Sequence, residues 1–249
     1  MEFSGKVALV SGGSRGIGLA IARRLAEAGA TVAIVARTAD ATSLPGATAI
    51  AADLSDPAEV ERAVAEVVAR HGRLDLLVHS AGATQRGDFL ALDDAAWADS
   101  YALKFFGAVR LCRAAWPHLA ASRGSAILIA GVGGRVASAD FTIGGSVNAA
   151  LMNLTKALSD RGVRDGVRVN CINPGSIRTD RLTQRIAKVM QERGLGEAEA
   201  AAALAADTGV SRFGEPSEIA DVVAFLAGPG ASYIQGAILD VDGGWVRAV

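Results

Sequence analysis

The chain has 249 residues, 51% of them hydrophobic, and its 25 basic and 26 acidic residues give a formal net charge of −1. This composition allows a large buried core, and no block of like charge indicates a nucleic-acid or anionic-membrane surface. The sequence enters a strand pattern almost at once, without a signal-peptide layout, and no apolar run is long enough to cross a bilayer. We therefore predict a soluble, cytoplasmic protein whose two cysteines, Cys112 and Cys171, are reduced and buried.

The first 80 residues alternate short strand patterns with longer helical patterns. β-branched runs predict strands at 6–11, 31–36, 47–53 and 74–80. A helical pattern after the first strand ends at Gly29. Another opens with Asp56 and Pro57, a capping residue before a first-turn proline, and ends at Gly72. This alternation is typical of βαβ units and a parallel sheet.

The remaining residues continue the same alternation. The patterns predict helices over about 94–121 and 143–162 and from Pro216, and strands at 125–130, 166–172 and 236–244. The polar, Ala-rich segment 178–210 is predicted to form helices that cover the end of the sheet. Together the elements predict one α/β domain over 1–249, a Rossmann fold with a doubly wound parallel seven-stranded sheet and helices on both faces.

A Gly-rich turn, Gly12-Gly13-Ser14-Arg15-Gly16-Ile17-Gly18, lies between the first strand and the first helix. Glycines at this place allow a tight turn and a close approach of the backbone to a pyrophosphate, which rests on the helix N-terminus. The position of the turn after an N-terminal strand favours a dinucleotide site over a purely structural turn.

Several further motifs follow this turn in a fixed order. They are Asp53, His79-Ser80-Ala81-Gly82, Asn173-Pro174-Gly175 with Thr179, Arg212-x-Gly214-x-Pro216-x-Glu218, and Asp242-Gly243-Gly244. With Gly12-xxx-Gly16-Ile17-Gly18, they resemble the short-chain dehydrogenase/reductase family over essentially the whole chain. The resemblance implies a nicotinamide cofactor held by Gly12, Ser14, Arg15, Gly16, Ile17, Gly18, Arg37, Asp53, Leu54, Ser80, Ala81, Gly82, Pro174, Gly175, Ile177 and Thr179.

Two arginines bear on the choice of cofactor. The second strand ends without the acidic residue that would bind a ribose 2′-hydroxyl, and Arg37 stands there instead, with Arg15 in the phosphate turn. Two guanidinium groups near one ribose favour a 2′-phosphate. We therefore predict NADP(H) in preference to NAD(H), the alternative being that both arginines are solvated surface residues.

The family resemblance also implies four catalytic residues, and this chain differs at all four positions. The family's serine, tyrosine, lysine and asparagine fall at Gly131, Gly144, Asn148 and Lys104. Hydride addition to a carbonyl leaves an oxyanion that must be protonated or stabilised, so the pattern predicts no catalysis by the usual mechanism. Lys104 itself is either a pocket cation or a lysine that reaches solvent or pairs with an acid.

Few neighbouring residues offer a replacement for the tyrosine. Tyr101 lies one helical turn before Lys104, so a displaced Tyr-Lys pair is a weak candidate. Asp140, in a loop with Ser138 and Arg135, is a second. His79 is expected to make a structural hydrogen bond, and no His, Cys, Asp or Glu spacing suggests a metal.

Three functions fit this pattern. We favour a non-catalytic structural or regulatory subunit of an oxidoreductase assembly. The alternatives are an atypical enzyme that uses Lys104, Asp140 or water for altered carbonyl reduction, elimination, cyclisation or isomerisation, and a protein that senses a ligand or NADP(H). The resemblance implies a homo- or hetero-oligomer, a dimer or tetramer formed through 94–121, 143–162 and 216–249, with an intact relative as one partner. Neither a nucleic acid nor a membrane is expected as a partner.

Overall fold

Seven parallel strands form one sheet in the order β3-β2-β1-β4-β5-β6-β7. The computed structural model describes residues 1–38 and 44–247. The strands are β1 (Val7–Ser11), β2 (Thr31–Ala36), β3 (Thr48–Ala51), β4 (Leu76–His79), β5 (Ser125–Ile129), β6 (Arg168–Pro174) and β7 (Ile238–Val241). Parallel sheets need cover on both faces, and every residue of β1, β4 and β5 is buried. The predicted fold class is confirmed.

Helices cover both faces of this sheet. They are α1 (Gly16–Glu27), α2 (Pro57–His71), α3 (Asp94–Ser100), α4 (Gly107–Ser122), α5 (Thr142–Asp165), α6 (Asp180–Arg193), α7 (Glu197–Thr208) and α8 (Pro216–Ala227). One apolar cluster packs α2, α4 and α5 against one face, and a second packs α1 and α8 against the other. The predicted elements are confirmed, with ends that differ by up to three residues.

The predicted helix over 94–121 is not one uniform α-helix. Residues Tyr101–Phe106 form a π-helical segment between α3 and α4, in which the Gly107 amide donates to the carbonyl of Ala102, five residues back. Two side chains also bind carbonyls here: Arg110 Nη1 donates to Ala102 O at 3.2 Å, and His79 Nε2 lies 3.1 Å from Lys104 O. Such segments turn side chains away from their α-helical directions, and this one holds Lys104 in the interior.

The predicted covering segment consists of α6 and α7. These helices share their own apolar cluster, which includes Leu182, Ile186, Leu204 and Phe213. Because β6 ends at Pro174 and α6 starts at Asp180, the segment begins at the carboxyl edge of the sheet. Within 1–38 and 44–247, no helix is both long and apolar enough to pass through a membrane. Residues 248 and 249, at the end of the predicted 216–249 interface segment, lie outside the described residues.

Candidate active site

The Gly-rich turn lies where the strand order reverses, between β1 and its neighbours β2 and β4. Gly12 adopts φ +68°, and a Cβ built on it would lie 2.9 Å from the backbone of Ala81. A Cβ at Gly18 would lie 2.1 Å from the carbonyl oxygen of Gly12, so α1 packs directly on the turn. No side-chain hydrogen bond caps the N-terminus of α1 at Arg15. Its amides are therefore available to a phosphate at this switch point.

The other predicted cofactor residues lie along the same edge. Asp53 Oδ1 accepts hydrogen bonds from the Ser55 hydroxyl at 2.7 Å and amide at 2.8 Å, and these bonds, with the charge of Arg37, hold the pKa of the Asp53 carboxyl below its usual value. Thr179 Cγ2 lies 3.5 Å from where a Gly16 Cβ would be. The carboxyl ends of the strands bring these residues to one edge of the sheet, and that they bind a cofactor stays a prediction.

Lys104 lies with its ammonium group inside the protein. Its Nζ donates to Asn148 Oδ1 at 2.6 Å and to Ala130 O at 3.0 Å. The residue is only 9% exposed. Burial, with a further contribution from the charge of Arg181, lowers the Lys104 pKa to about 8, and Cys171 opposes the shift. Among the described residues Lys104 therefore binds neutral oxygens and no carboxylate, and that it serves a ligand pocket stays a prediction.

Lys104 and Asn148 stand in exchanged positions relative to the pattern that the family resemblance predicts. That pattern places an asparagine at 104 and a lysine at 148, and this chain has the reverse. Sequence reasoning treated the two differences separately. The hydrogen bond between the side chains shows that they form one unit, in which the cation comes from the π-helical segment instead of α5. The reciprocal residue types were the signal that could have revealed this pair.

The Phe141 ring occupies the space beside Gly144. A Cβ built on Gly144 would lie 2.0 Å from Cζ of Phe141, and one on Gly133 would lie 2.7 Å from Cε1 of the same ring. The Arg86 guanidinium covers the ring at 4.0 Å from its centroid. The ring therefore fills the gap between the β5–α5 loop and the first turn of α5.

Gly131 is also unsuited to a larger residue in this backbone conformation. It adopts φ +153°, which side chains rarely tolerate, and a Cβ there would lie 3.0 Å from Asn148 Nδ2. The amide of Gly131 donates to Asn173 Oδ1 at 3.3 Å. The loop after β5 thus adopts a backbone conformation at Gly131 that favours glycine.

The structure does not support Tyr101 or Asp140, the two weak candidates, as proton donors. The Tyr101 ring packs against Trp97 and Phe105 at centroid distances of 6.4 and 6.1 Å, and among the described residues no hydrogen bond joins Tyr101 to Lys104. Asp140 accepts from the Ser138 hydroxyl and from Arg86 Nη1 at 2.7 Å. The Ser138 bond and the charge of Arg86 hold the Asp140 pKa below its usual value, so this carboxylate carries no proton at neutral pH.

His79 has the structural role that the sequence predicts. Its Nδ1 lies 3.0 Å from the Ser11 hydroxyl, and its Nε2 donates to Lys104 O. Complete burial lowers the His79 pKa to about 4, so the ring is neutral. The Ser11 oxygen also accepts from the amides of Ser80 and Ala81 at 3.2 and 3.3 Å. A single network therefore joins β1, the turn after β4 and the π-helical segment.

No set of three or more His, Cys, Asp or Glu side chains within 1–38 and 44–247 is arranged to hold a metal ion. Both cysteines are free and buried, as predicted. Burial raises the pKa of the Cys112 thiol to about 12 and that of Cys171 to about 11, so neither is a nucleophile near neutral pH.

Comparison with known proteins matches nearly all of this chain. The family model described as enoyl-(acyl carrier protein) reductase matches residues 12–246. The chain is 34% identical over 256 residues to 3-oxoacyl-[acyl-carrier-protein] reductase FabG of Escherichia coli (strain K12), covering 98% of each chain. The L-sorbose reductase of Gluconobacter frateurii, solved with NADPH and L-sorbose, superimposes with a TM-score of 0.94 at 32% identity over 100% of both chains. The chain belongs to the short-chain dehydrogenase/reductase family.

Proposed function

We propose that this protein binds NADP(H) but does not reduce carbonyls by the tyrosine route, and that it serves as a structural or regulatory subunit of an oxidoreductase assembly. The observation that carries the proposal is the Phe141 ring, which lies 2.0 Å from the position of a Cβ on Gly144, where the side chain of the family's tyrosine would begin. Loss of a general acid typically lowers a rate by about 10²- to 10⁴-fold. Gly131 stands where the family resemblance puts the serine, so no hydroxyl at this position stabilises the oxyanion.

The direct test measures binding and turnover on the same purified chain. We expect NADPH to bind, as followed by the change in its fluorescence. We expect no more than slow NADPH oxidation with L-sorbose or a 3-oxoacyl thioester, chosen from the substrates named for the similar proteins. Brisk turnover by the chain alone would refute the non-catalytic function, and failure to bind either dinucleotide would refute the cofactor proposal.

Arg15 and Arg37 support NADP(H) over NAD(H). Arg37 is exposed, follows β2, and acts electrostatically on Asp53 across the cofactor edge. The L-sorbose reductase structure contains NADPH, and a short-chain dehydrogenase from Burkholderia cenocepacia contains NADP. A guanidinium at this position matches a ribose 2′-phosphate.

Arg37→Ala is therefore expected to weaken NADPH binding by about 10-fold and NADH binding much less, because only NADPH loses a charge-assisted contact. Titration of the two cofactors measures this difference. Arg70→Ala is the matched control, since Arg70 is an exposed arginine of α2 that pairs with Glu66. Equal losses for NADPH and NADH would show that Arg37 does not select the phosphate.

Lys104 favours the second candidate function, an atypical enzyme. A buried amine with a pKa of about 8 can give or take a proton near neutral pH. If Lys104 is the acid or base, Lys104→Met abolishes whatever activity a substrate screen reveals and leaves NADPH binding intact. Lys188→Met, in an exposed lysine of α6, keeps that activity. Activity that survives Lys104→Met would exclude Lys104 from the chemistry.

The proposed assembly uses the three helical regions named by the family resemblance. Each carries or adjoins an exposed large apolar side chain: Phe106 in the π-helical segment, Val163 in α5 one residue beyond the predicted 143–162, and Phe225 in α8. We place the subunit contacts of the proposed assembly at these three side chains. Co-purification with a catalytically intact relative, and its loss in Phe225→Asp, would support the subunit function. The cytoplasm as its compartment stays a prediction.

A further inference from the structure

Four basic residues lie around the pocket: Lys104, Arg86, Arg181 and Arg185, which we call the basic cluster. Lys104 and Arg181 flank the same glycine. A Cβ on Gly82 would lie 2.8 Å from both Cγ and Cδ of Lys104, and Arg181 Nη2 donates to the Gly82 carbonyl. The aliphatic part of the Lys104 side chain and the Arg181 guanidinium therefore both contact Gly82, just after the end of β4.

Arg185 extends the cluster along α6. It follows Arg181 by four residues, so both side chains lie on one face of that helix. Arg185 Nη1 lies 3.4 Å from the Ser176 hydroxyl. Desolvation lowers the Arg185 pKa, the charge of Arg86 lowers it further, and the charge of Asp140 raises it, so these three groups share one region of the cleft.

The cluster contains more positive than negative charge. Within 1–38 and 44–247, the carboxylate that pairs with a member of the cluster is Asp140, which binds Arg86 at 2.7 Å. Neither Arg181 nor Arg185 has a carboxylate partner among the ion pairs of the described residues, whereas Arg178 pairs with Glu215 and Arg193 with Asp207 in the same covering segment. Arg181 and Arg185 thus each keep N–H donors beyond the one that binds a neutral oxygen.

Desolvation adds to this imbalance. Arg185 is partly buried, and desolvation is the main cause that lowers its pKa, whereas Arg181 is exposed. Cations that lose water without gaining a carboxylate are destabilised until an anion joins them. Planar guanidinium groups match the paired oxygens of carboxylates and phosphates.

We propose that the pocket binds a small organic anion, a carboxylate or a phosphate monoester, between Arg181 and Arg185 with Lys104 at its inner end. The proposal rests on the proposed function, because it names the ligand class of the same pocket. Arg181 binds the carbonyl of Gly82, in the predicted cofactor turn, whereas Arg185 lies near Arg86, which covers the Phe141 ring on the substrate side. A substitution of Arg185 therefore distinguishes a separate anion site from the site of the cofactor's own phosphates.

Calorimetry tests the proposal with inorganic phosphate and malonate at constant ionic strength, on protein saturated with NADP⁺. At least one anion is expected to bind, and neutral malonamide is expected not to. Phosphate binding without malonate binding would identify a phosphate ester as the ligand class, and the reverse would identify a carboxylate. Arg185→Gln is expected to weaken the preferred anion by about 10-fold or more. Lys188→Gln, on the solvent side of α6, is expected to leave the affinity unchanged.

Three results would overturn the proposal. They are no binding of either anion, equal affinity in Arg185→Gln, and binding to cofactor-free protein that NADP⁺ abolishes, which would assign the cluster to the cofactor. Thermal unfolding of each variant verifies that it is folded. NADPH binding and ketone turnover are measured on the same samples. Brisk turnover with anion binding would overturn the proposed function alone, and cofactor binding without anion binding would overturn this proposal alone.

Discussion

Between pH 8 and pH 10.5, the free energy of unfolding of the native protein is expected to rise by about 3 kcal/mol relative to that of Lys104→Met. The Lys104 pKa is about 8 in the folded chain and 10.5 in the unfolded chain. Between these values the unfolded chain holds a proton that the folded chain has released, so stability increases with pH. Below pH 8 both states are protonated, and the cost of the buried ammonium is fully present.

The difference between the pH profiles of unfolding free energy of the two proteins reports on Lys104 and not on the neighbouring titratable groups. Burial raises the pKa values of Cys171 and Cys112, so both thiols make the folded protein less stable as pH rises through their unfolded pKa. His79, with a pKa of about 4, does not titrate in this range, and Arg181, whose pKa is lowered by desolvation and by the charge of Arg15, is unchanged between the two proteins. These contributions are present in both proteins and largely cancel.

Urea unfolding at intervals from pH 7 to pH 10.5 measures this difference. Lys188→Met is the matched control, because the exposed Lys188 is expected to give a profile parallel to that of the native protein. Parallel profiles for the native protein and Lys104→Met would show that the Lys104 amine titrates at its ordinary value.

Restoring the tyrosine alone is expected to damage the protein without giving an active enzyme. Gly144→Tyr forces its side chain into the Phe141 ring, which lies within 2.0 Å of the new Cβ. Overpacking of this kind typically costs about 1–3 kcal/mol. Because Phe141→Ala removes the obstacle, the double variant should exceed the stability expected from the two single variants by at least about 1 kcal/mol. Chemical denaturation of the four proteins of this cycle measures the coupling.

Turnover gives a second measurement of the same change. With Gly144→Tyr and Phe141→Ala in place, Lys104→Asn and Asn148→Lys return the cation to α5, and we expect NADPH-dependent ketone reduction to rise by about 10²-fold or more over Gly144→Tyr alone. Phe141→Ala by itself is the control and should remain inactive. Additive stabilities in the cycle would show that the Phe141 ring simply moves aside, and that the obstacle to catalysis lies elsewhere.

The sequence predicts the fold well because the responsible signals are local. The β-branched run of β2 matches residues 31–36, and Asp56 caps α2 by accepting from the Ala58 amide at 2.8 Å, as its position before Pro57 predicts. The Gly-rich turn takes the positive φ that its glycines permit. Each of these outcomes depends on residues within one turn of each other and needs no knowledge of distant contacts.

The candidate site is less predictable because its contacts join distant parts of the chain. The bond from Lys104 to Asn148 spans two helices, and the residue pattern of α3 and α4 does not reveal the π-helical segment that directs Lys104 inward. The contact of Phe141 with Gly144 depends on the path of a loop and on one ring orientation. Arg181 and Arg185 lie in a segment whose composition resembles any solvated helix, and only its placement at the sheet edge brings them to the pocket.

The π-helical segment makes the direction of Lys104 depend on backbone winding as well as on residue type. An α-helix advances about 100° per residue, so a one-residue deletion within Tyr101–Phe106 that converts the segment to α-helix would rotate Lys104 away from Asn148 or change which residue faces it. The charge of the pocket can therefore change through insertion or deletion without any substitution at position 104. In relatives of this chain, the length of that helix is as informative about the pocket as the identity of its residues.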